Sequence, residues 1–182
     1  YERAQRKPLS GMELERVRNA CETLRDKAMI EMLYSTGCRV TELERLNIAD
    51  VDFEQKDVHL FGKGDKHRTS CLNVRAELAL KNYLATRNDE NPALFVSERA
   101  PHGRLKKPAI EKRVRQLGEM SKIGRRVYPH LIRHTTATDG LDRGMPIEEV
   151  QQFLGHVNIN TTMVYAQVSR ANLKRDHRRC IV

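Results

Sequence analysis

Apolar positions along the chain follow two different spacings, and the change from one to the other divides the sequence into three stretches. The first is helical. Ser10 followed by Glu13 matches a capping box, and Leu14, Val17 and Cys21 then recur at intervals of three and four, which predicts a helix over 11–23. A second helix is predicted over 25–36 and stops at Gly37, a residue that takes the left-handed conformation common just past a helix end. Val40 to Leu46 reads as a third, short helix, with Arg39 in the corner before it.

From Ile48 the pattern shortens into β-prone pieces, 48–53, 58–61 and 68–74, separated by acidic or Gly-containing turns, and a small antiparallel sheet accommodates them. Helical spacing then returns over 75–87, 108–121 after Pro108, 129–142 and 146–154, with two short helices beyond Asn160. The fold class is therefore mainly α (α+β), a helical domain carrying one three-stranded antiparallel sheet. No internal repeat, low-complexity tract or Pro/Gly/Ser-rich linker interrupts the periodicity, so the 182 residues are read as one domain.

Composition narrows the function classes. The chain is 39% hydrophobic and lacks Trp, and no apolar run approaches the roughly 18 residues that span a bilayer. Membrane insertion is not expected. The first residue is Tyr1, with neither an initiating Met nor a secretory leader, so the chain reads as a fragment of something longer. Cys21, Cys38, Cys71 and Cys180 are scattered without a C-x-x-C pair, which suggests neither a zinc framework nor a disulfide scaffold and fits a reducing cytoplasm. The net charge is +9, and residues 104–133 hold ten Lys/Arg against only Glu111 and Glu119. A polyanionic partner accounts for that run, and so does a solvated basic helix face.

Several short segments hold candidate chemistry. In Pro129-His130-Leu131-Ile132-Arg133-His134 the proline suits the first position of a helix, so His130 and Arg133 share a face near a helix N-terminus, where an anion is favoured. His130 and His134 resemble half of a zinc site, but Leu131 replaces the Glu of an H-E-x-x-H protease, and no metal is expected. Gly155 ends a helix ahead of His156, and Tyr165 follows nine residues later among Met163, Val164 and Ala166. Gly37-Cys38-Arg39-Val40-Thr41-Glu42-Leu43 places an Arg at a helix start, and Gly62-Lys63-Gly64 reads as a tight turn. Each segment alone has an ordinary structural reading: a helix cap, a local ion pair, a solvated turn lysine, a boundary tyrosine.

The ordered combination carries more weight. G-x-R-x-x-E-L, a G-K-G hairpin, H-x-x-R-H, L-G-H and the Tyr resemble the tyrosine recombinase (phage integrase) family from about Ser10 to the C-terminus, in particular the Xer-like recombinases and integrases of mobile elements. Arg39, Lys63, His130, Arg133, His156 and Tyr165 fall on the six catalytic positions of that family. The resemblance implies that Tyr165 attacks a DNA phosphate and that Arg39 and Arg133 clamp it, since guanidinium donors match two phosphate oxygens. It further implies that His130 assists the Tyr proton transfer or phosphate binding, Lys63 protonates the leaving 5′-oxygen, and His156 donates to the phosphate. Glu42 is expected to orient Arg39 or a neighbour. Neither metal nor ATP is required for exchanging one phosphate ester for another, so no cofactor is expected.

The expected partner is duplex DNA, because Tyr128 is the only aromatic residue in the basic stretch and a base-stacking platform needs more. Lys106, Lys107, Arg113, Arg115, Arg125 and Arg126 are candidate DNA contacts. A homo-oligomer on DNA, a tetramer by family resemblance, is expected, and the basic tail 169–182 is either its contact or a free surface helix. Relatives place a helical DNA-clamping domain ahead of the catalytic one, for which this chain has no room. Ile132 and Asp139 depart from the residues that relatives more often have. Two rival readings stay open: a type IB topoisomerase, which uses the same Tyr chemistry without exchanging strands, and a catalytically silent DNA-binding module.

Overall fold

A computed structural model describes residues 7–155 and 177–181. In chain order it contains α1 (Gly11–Asn19), α2 (Leu24–Thr36), α3 (Val40–Arg45), a 3-10 turn (Ile48–Asp50), β1 (Val51–Asp52), β2 (Asp57–Phe61), β3 (His67–Cys71), α4 (Val74–Ala85), α5 (Lys107–Met120), α6 (Pro129–Asp142) and α7 (Ile147–Leu154). The mainly helical class and the small antiparallel sheet, in the order β1-β2-β3, agree with the sequence pattern. Of the region beyond Asn160, where two short helices were expected, residues 177–180 are helical and the rest up to 176 lies outside the described residues.

Boundaries differ where side chains compete for backbone groups. Helix α1 stops at Asn19, short of 23, because Thr23 opens the next helix: its hydroxyl accepts the Asp26 N–H at 3.0 Å and the Asp26 carboxylate accepts the Thr23 N–H at 3.2 Å. Ile48–Asp50 coils instead of extending, since the Asp50 carboxylate takes the Asn47 N–H at 2.8 Å, and the strand begins only at Val51. At the other end β3 closes at Cys71, and Asn73 caps α4 by accepting the Ala76 N–H at 2.8 Å.

Helix α2 is the centre of the core. Ala28, Met29, Ile30, Met32 and Leu33 are all fully buried, so the helix is apolar around most of its circumference and is enclosed by α4, α6 and β3. In the sheet, Val58 pairs with Ser70 and Leu60 with Arg68, and the alternation of faces turns Val58, Leu60, Arg68 and Ser70 inward. Ser70 satisfies its hydroxyl on the Thr36 carbonyl at 2.9 Å. Helix α5 buries Ile110, Val114, Leu117 and Gly118 along one stripe and leaves Glu111 and Arg115 on the opposite side. A smaller apolar cluster, Ala137, Leu141, Val150 and Leu154, joins α6 to α7. Asp139, one of the departures from the family pattern, accepts the Tyr34 hydroxyl at 2.6 Å across the α2–α6 contact.

Candidate active site

The end of α2 determines where Arg39 stands. Gly37 takes φ 59° and turns the chain, and Arg39 becomes the N-cap of α3 with its side chain 46% exposed. Glu42, only 2% exposed, reaches back to accept the Arg39 N–H at 2.7 Å. Its carboxylate also receives Arg68 Nη2 at 2.9 Å and Nε at 3.3 Å, whereas Arg39 Nη1 lies at 3.5 Å. Arg68 is therefore the principal partner of Glu42. Burial pushes the Glu42 pKa up, but the Arg68 hydrogen bond and charge outweigh it and hold the carboxyl below its ordinary value.

Helix α6 supplies the opposite wall. Pro129 occupies its first position, where a missing N–H costs no helical bond, and His130 and Arg133 follow on one face. Arg133 is 1% exposed. It donates Nη1 to the Gly37 carbonyl at 2.6 Å and Nη2 to the Leu154 carbonyl at 2.7 Å, so one guanidinium joins the ends of α2 and α7 to α6. His130 keeps an exposed edge. Desolvation of its ring, and then the charges of Arg133 and Arg39, lower its pKa from 6.5, so its neutral form prevails at neutral pH.

Between these walls lies a cleft of about 470 Å³ lined by Arg39, Thr41, Lys107, Glu111, Arg115, Arg126, Tyr128, His130 and Arg133. Five of those side chains are cationic and one is acidic, a balance that suits a phosphodiester. Lys107 is fixed at the start of α5 because Glu44 accepts its N–H at 2.8 Å, and Lys106 pairs with the same carboxylate at 3.4 Å. A second groove of about 470 Å³, lined by Tyr34, Met145 and Phe153 among others, is apolar and includes none of the predicted site residues.

The structure thus brings Arg39, His130, Arg133, Lys107, Arg115 and Arg126 together. It does not bring Arg113 or Arg125 there. Arg113 donates Nε and Nη2 to the fully buried Asp26 at 2.9 and 2.7 Å, and Nη2 also to Glu22 at 2.9 Å. Arg125 holds Glu13 at 2.7 and 3.0 Å and the carbonyls of Lys7 and Pro8 at 2.6 and 2.7 Å. Lys63 is exposed in the β2–β3 turn and is absent from the cleft lining, although the hairpin base is tied to α3 by Arg45 Nη1 on the Gly62 carbonyl at 2.9 Å. His156 and Tyr165 lie outside the described residues, as does the tail 169–182 apart from 177–181. Sequence reasoning missed Arg68 as the partner of Glu42. The available signal was an Arg at the same strand parity as Ser70.

Residues 7–172 match the family model described as the phage integrase family. The chain belongs to the phage integrase family. Tyrosine recombinase XerC of Haemophilus ducreyi is 37% identical over 155 residues, covering 84% of this chain and 50% of that protein. Tyrosine recombinase XerA of Pyrococcus horikoshii is 36% identical over 170 residues, covering 92% of this chain and 59% of that protein. The chain therefore spans 50% to 59% of the length of these relatives. Among solved structures, a XerA recombinase crystal structure superposes with a TM-score of 0.84 at 34% identity, over 97% of this chain and 64% of that one. A XerH site-specific recombinase bound to palindromic difH substrate, a post-cleavage complex, superposes with a TM-score of 0.78 at 25% identity, over 93% and 52% of the two chains. Among the described residues no helix is long and apolar enough to cross a membrane.

Proposed function

We propose that this chain is the catalytic part of a site-specific tyrosine recombinase that cuts and rejoins duplex DNA. The observation that carries this reading is the convergence of Arg39, His130 and Arg133 on one cationic cleft from two separate stretches of chain, the start of α3 and the start of α6. The names of the related recombinases support it, as does the XerH complex with its difH substrate.

In the proposed reaction the Tyr165 oxygen bonds to the scissile phosphorus as the bond to the 5′-oxygen breaks, giving a 3′-phosphotyrosyl ester and a 5′-hydroxyl. Arg39 and Arg133 stabilise the charge on the non-bridging oxygens. His130, with its lowered pKa, accepts the Tyr165 proton as a neutral imidazole. Lys63 protonates the leaving oxygen and His156 donates to the phosphate, the assignments that family resemblance suggests. A 5′-hydroxyl from a second duplex reverses the step and exchanges the strands. Lys106, Lys107, Arg115 and Arg126 contact the DNA backbone. The working assembly is a tetramer on DNA in which the tail 169–182 meets a neighbouring subunit, and it acts in the cytoplasm, on integration, excision or dimer resolution.

The test is a gel assay with the full-length protein and DNA carrying two copies of the sequences that flank its gene. Joint and recombinant molecules are the expected products. Relaxation of supercoils without any joint molecules would instead favour a type IB topoisomerase.

A further inference from the structure

Arg68 takes no part in the chemistry described above, yet its guanidinium meets both Glu42 and the last turn of α7. Strand parity turns it inward opposite Leu60, and its side chain is 12% exposed. From there it bonds both oxygens of Glu42, with Nη2 at 2.9 Å and Nε at 3.3 Å, and donates Nη1 to the Phe153 carbonyl in the last turn of α7. The next carbonyl along, Leu154 O, is taken by Arg133. The C-terminal end of α7, where orphan carbonyls concentrate negative charge, is thus held by two arginines from different elements.

The turn after α7 is shaped around the same side chain. Gly155 takes φ 68°, and a Cβ there would stand 2.6 Å from Arg68 Cδ and 3.1 Å from its Nε, so the backbone is in contact with the Arg68 stem. His156 is the next residue in the chain. On its other side Arg68 holds the carboxylate that accepts the Arg39 N–H at 2.7 Å. A single guanidinium therefore connects the Arg39 corner with the helix end that leads to His156, and both belong to the proposed site.

We propose that Arg68 is a positioning residue for DNA cleavage, setting Arg39 through Glu42 and the α7 terminus through Phe153 so that the phosphate-binding groups are held in register. This rests on the recombinase reading above. A lysine cannot replace it, because one ammonium lacks the forked geometry that serves a carboxylate and a carbonyl on opposite sides.

The test uses the full-length protein with Arg68→Lys and Arg68→Met, each measured in two ways. The first is amide hydrogen exchange at Arg39, compared with Leu33 and Leu80 in the core. The second is the rate of covalent adduct formation on a nicked suicide duplex at saturating DNA, beside the affinity for that duplex. We expect the Arg39 amide to exchange at least about tenfold faster while the Leu33 and Leu80 amides stay within about threefold of the parent, since local opening is separable from global unfolding. Adduct formation is expected to slow by at least about tenfold with affinity changed by less than about threefold, and Arg68→Lys to lie between parent and Arg68→Met. An unchanged Arg39 amide would overturn the proposal, and so would acceleration at Arg39, Leu33 and Leu80 together with cleavage falling in step, which is the signature of a structural brace. Should Arg68→Met fail to fold, Arg68→Lys decides by the same criteria. A parent protein that forms no adduct removes the recombinase reading itself; exchange at Arg39 then decides whether Arg68 sets that corner.

Discussion

At the scale of single residues, what separates a working cation from a structural one is the carboxylate it meets. Arg113 was a candidate DNA contact on sequence grounds, as a member of a basic run, but it faces the fully buried Asp26. Burial pushes the Asp26 pKa up, while the Arg113 hydrogen bond and charge and the N–H groups of Thr23 and Glu22 pull it further down, so the net displacement is below 3.8. A carboxyl with a depressed pKa contributes stability that is present above its unfolded value and is lost as the pH falls through the folded one. Arg113→Ala leaves that charge buried without its main partner and is predicted to destabilise the protein by about 3–5 kcal/mol at neutral pH. The deficit narrows as the pH falls through the carboxylate range, because the variant's Asp26 can take up a proton. Denaturant unfolding of parent and variant from pH 7 to pH 3 measures both effects, and affinity for duplex DNA is predicted to stay unchanged in the folded variant. The same contrast explains what was legible. Arg39, His130 and Arg133 are identifiable because they stand in short ordered motifs that match a known family, whereas the commitments of Arg113 to Asp26 and of Arg68 to Glu42 span 87 and 26 residues and leave no local trace.

At the scale of elements, periodicity located α1 to α7, and its largest misplacements, at the end of α1, the start of β1 and the end of β3, lie where a polar side chain captured a backbone group. Thr23, Asp50 and Asn73 each set a boundary by such a contact or by capping. Helix–helix approach was less accessible, since it depends on what lies across the interface. Gly118 shows this on α5: a Cβ there would lie 2.6 Å from Val127 Cβ and 3.2 Å from the Val127 backbone nitrogen. Alanine is the better helix former by about 1 kcal/mol. The backbone nitrogen cannot yield as the tip of a flexible side chain does, so Gly118→Ala is predicted to be net destabilising by about 1–3 kcal/mol. Thermal and denaturant unfolding check the sign directly; a stabilised variant would mean that α5 and the segment before α6 have room to separate. Because α5 carries Lys107 and Arg115 and that segment carries Arg126, the same variant is also predicted to widen the cleft.

At the scale of the whole molecule, the described core is a scaffold whose parts converge on one cationic cleft, while the nucleophile proposed for it comes from a stretch beyond the described residues. The family match extends over that stretch to residue 172, so Tyr165 falls within it. In the proposed reaction Tyr165 becomes joined covalently to DNA. Incubating the full-length protein with a suicide duplex whose nick traps the cleaved state, followed by denaturation, digestion and mass spectrometry of the DNA-linked peptide, tests it directly. The predicted result is a 3′-phosphotyrosyl linkage at Tyr165 in the parent and no adduct in Tyr165→Phe; an adduct that survives Tyr165→Phe, or a parent that binds the duplex without forming one, would contradict it.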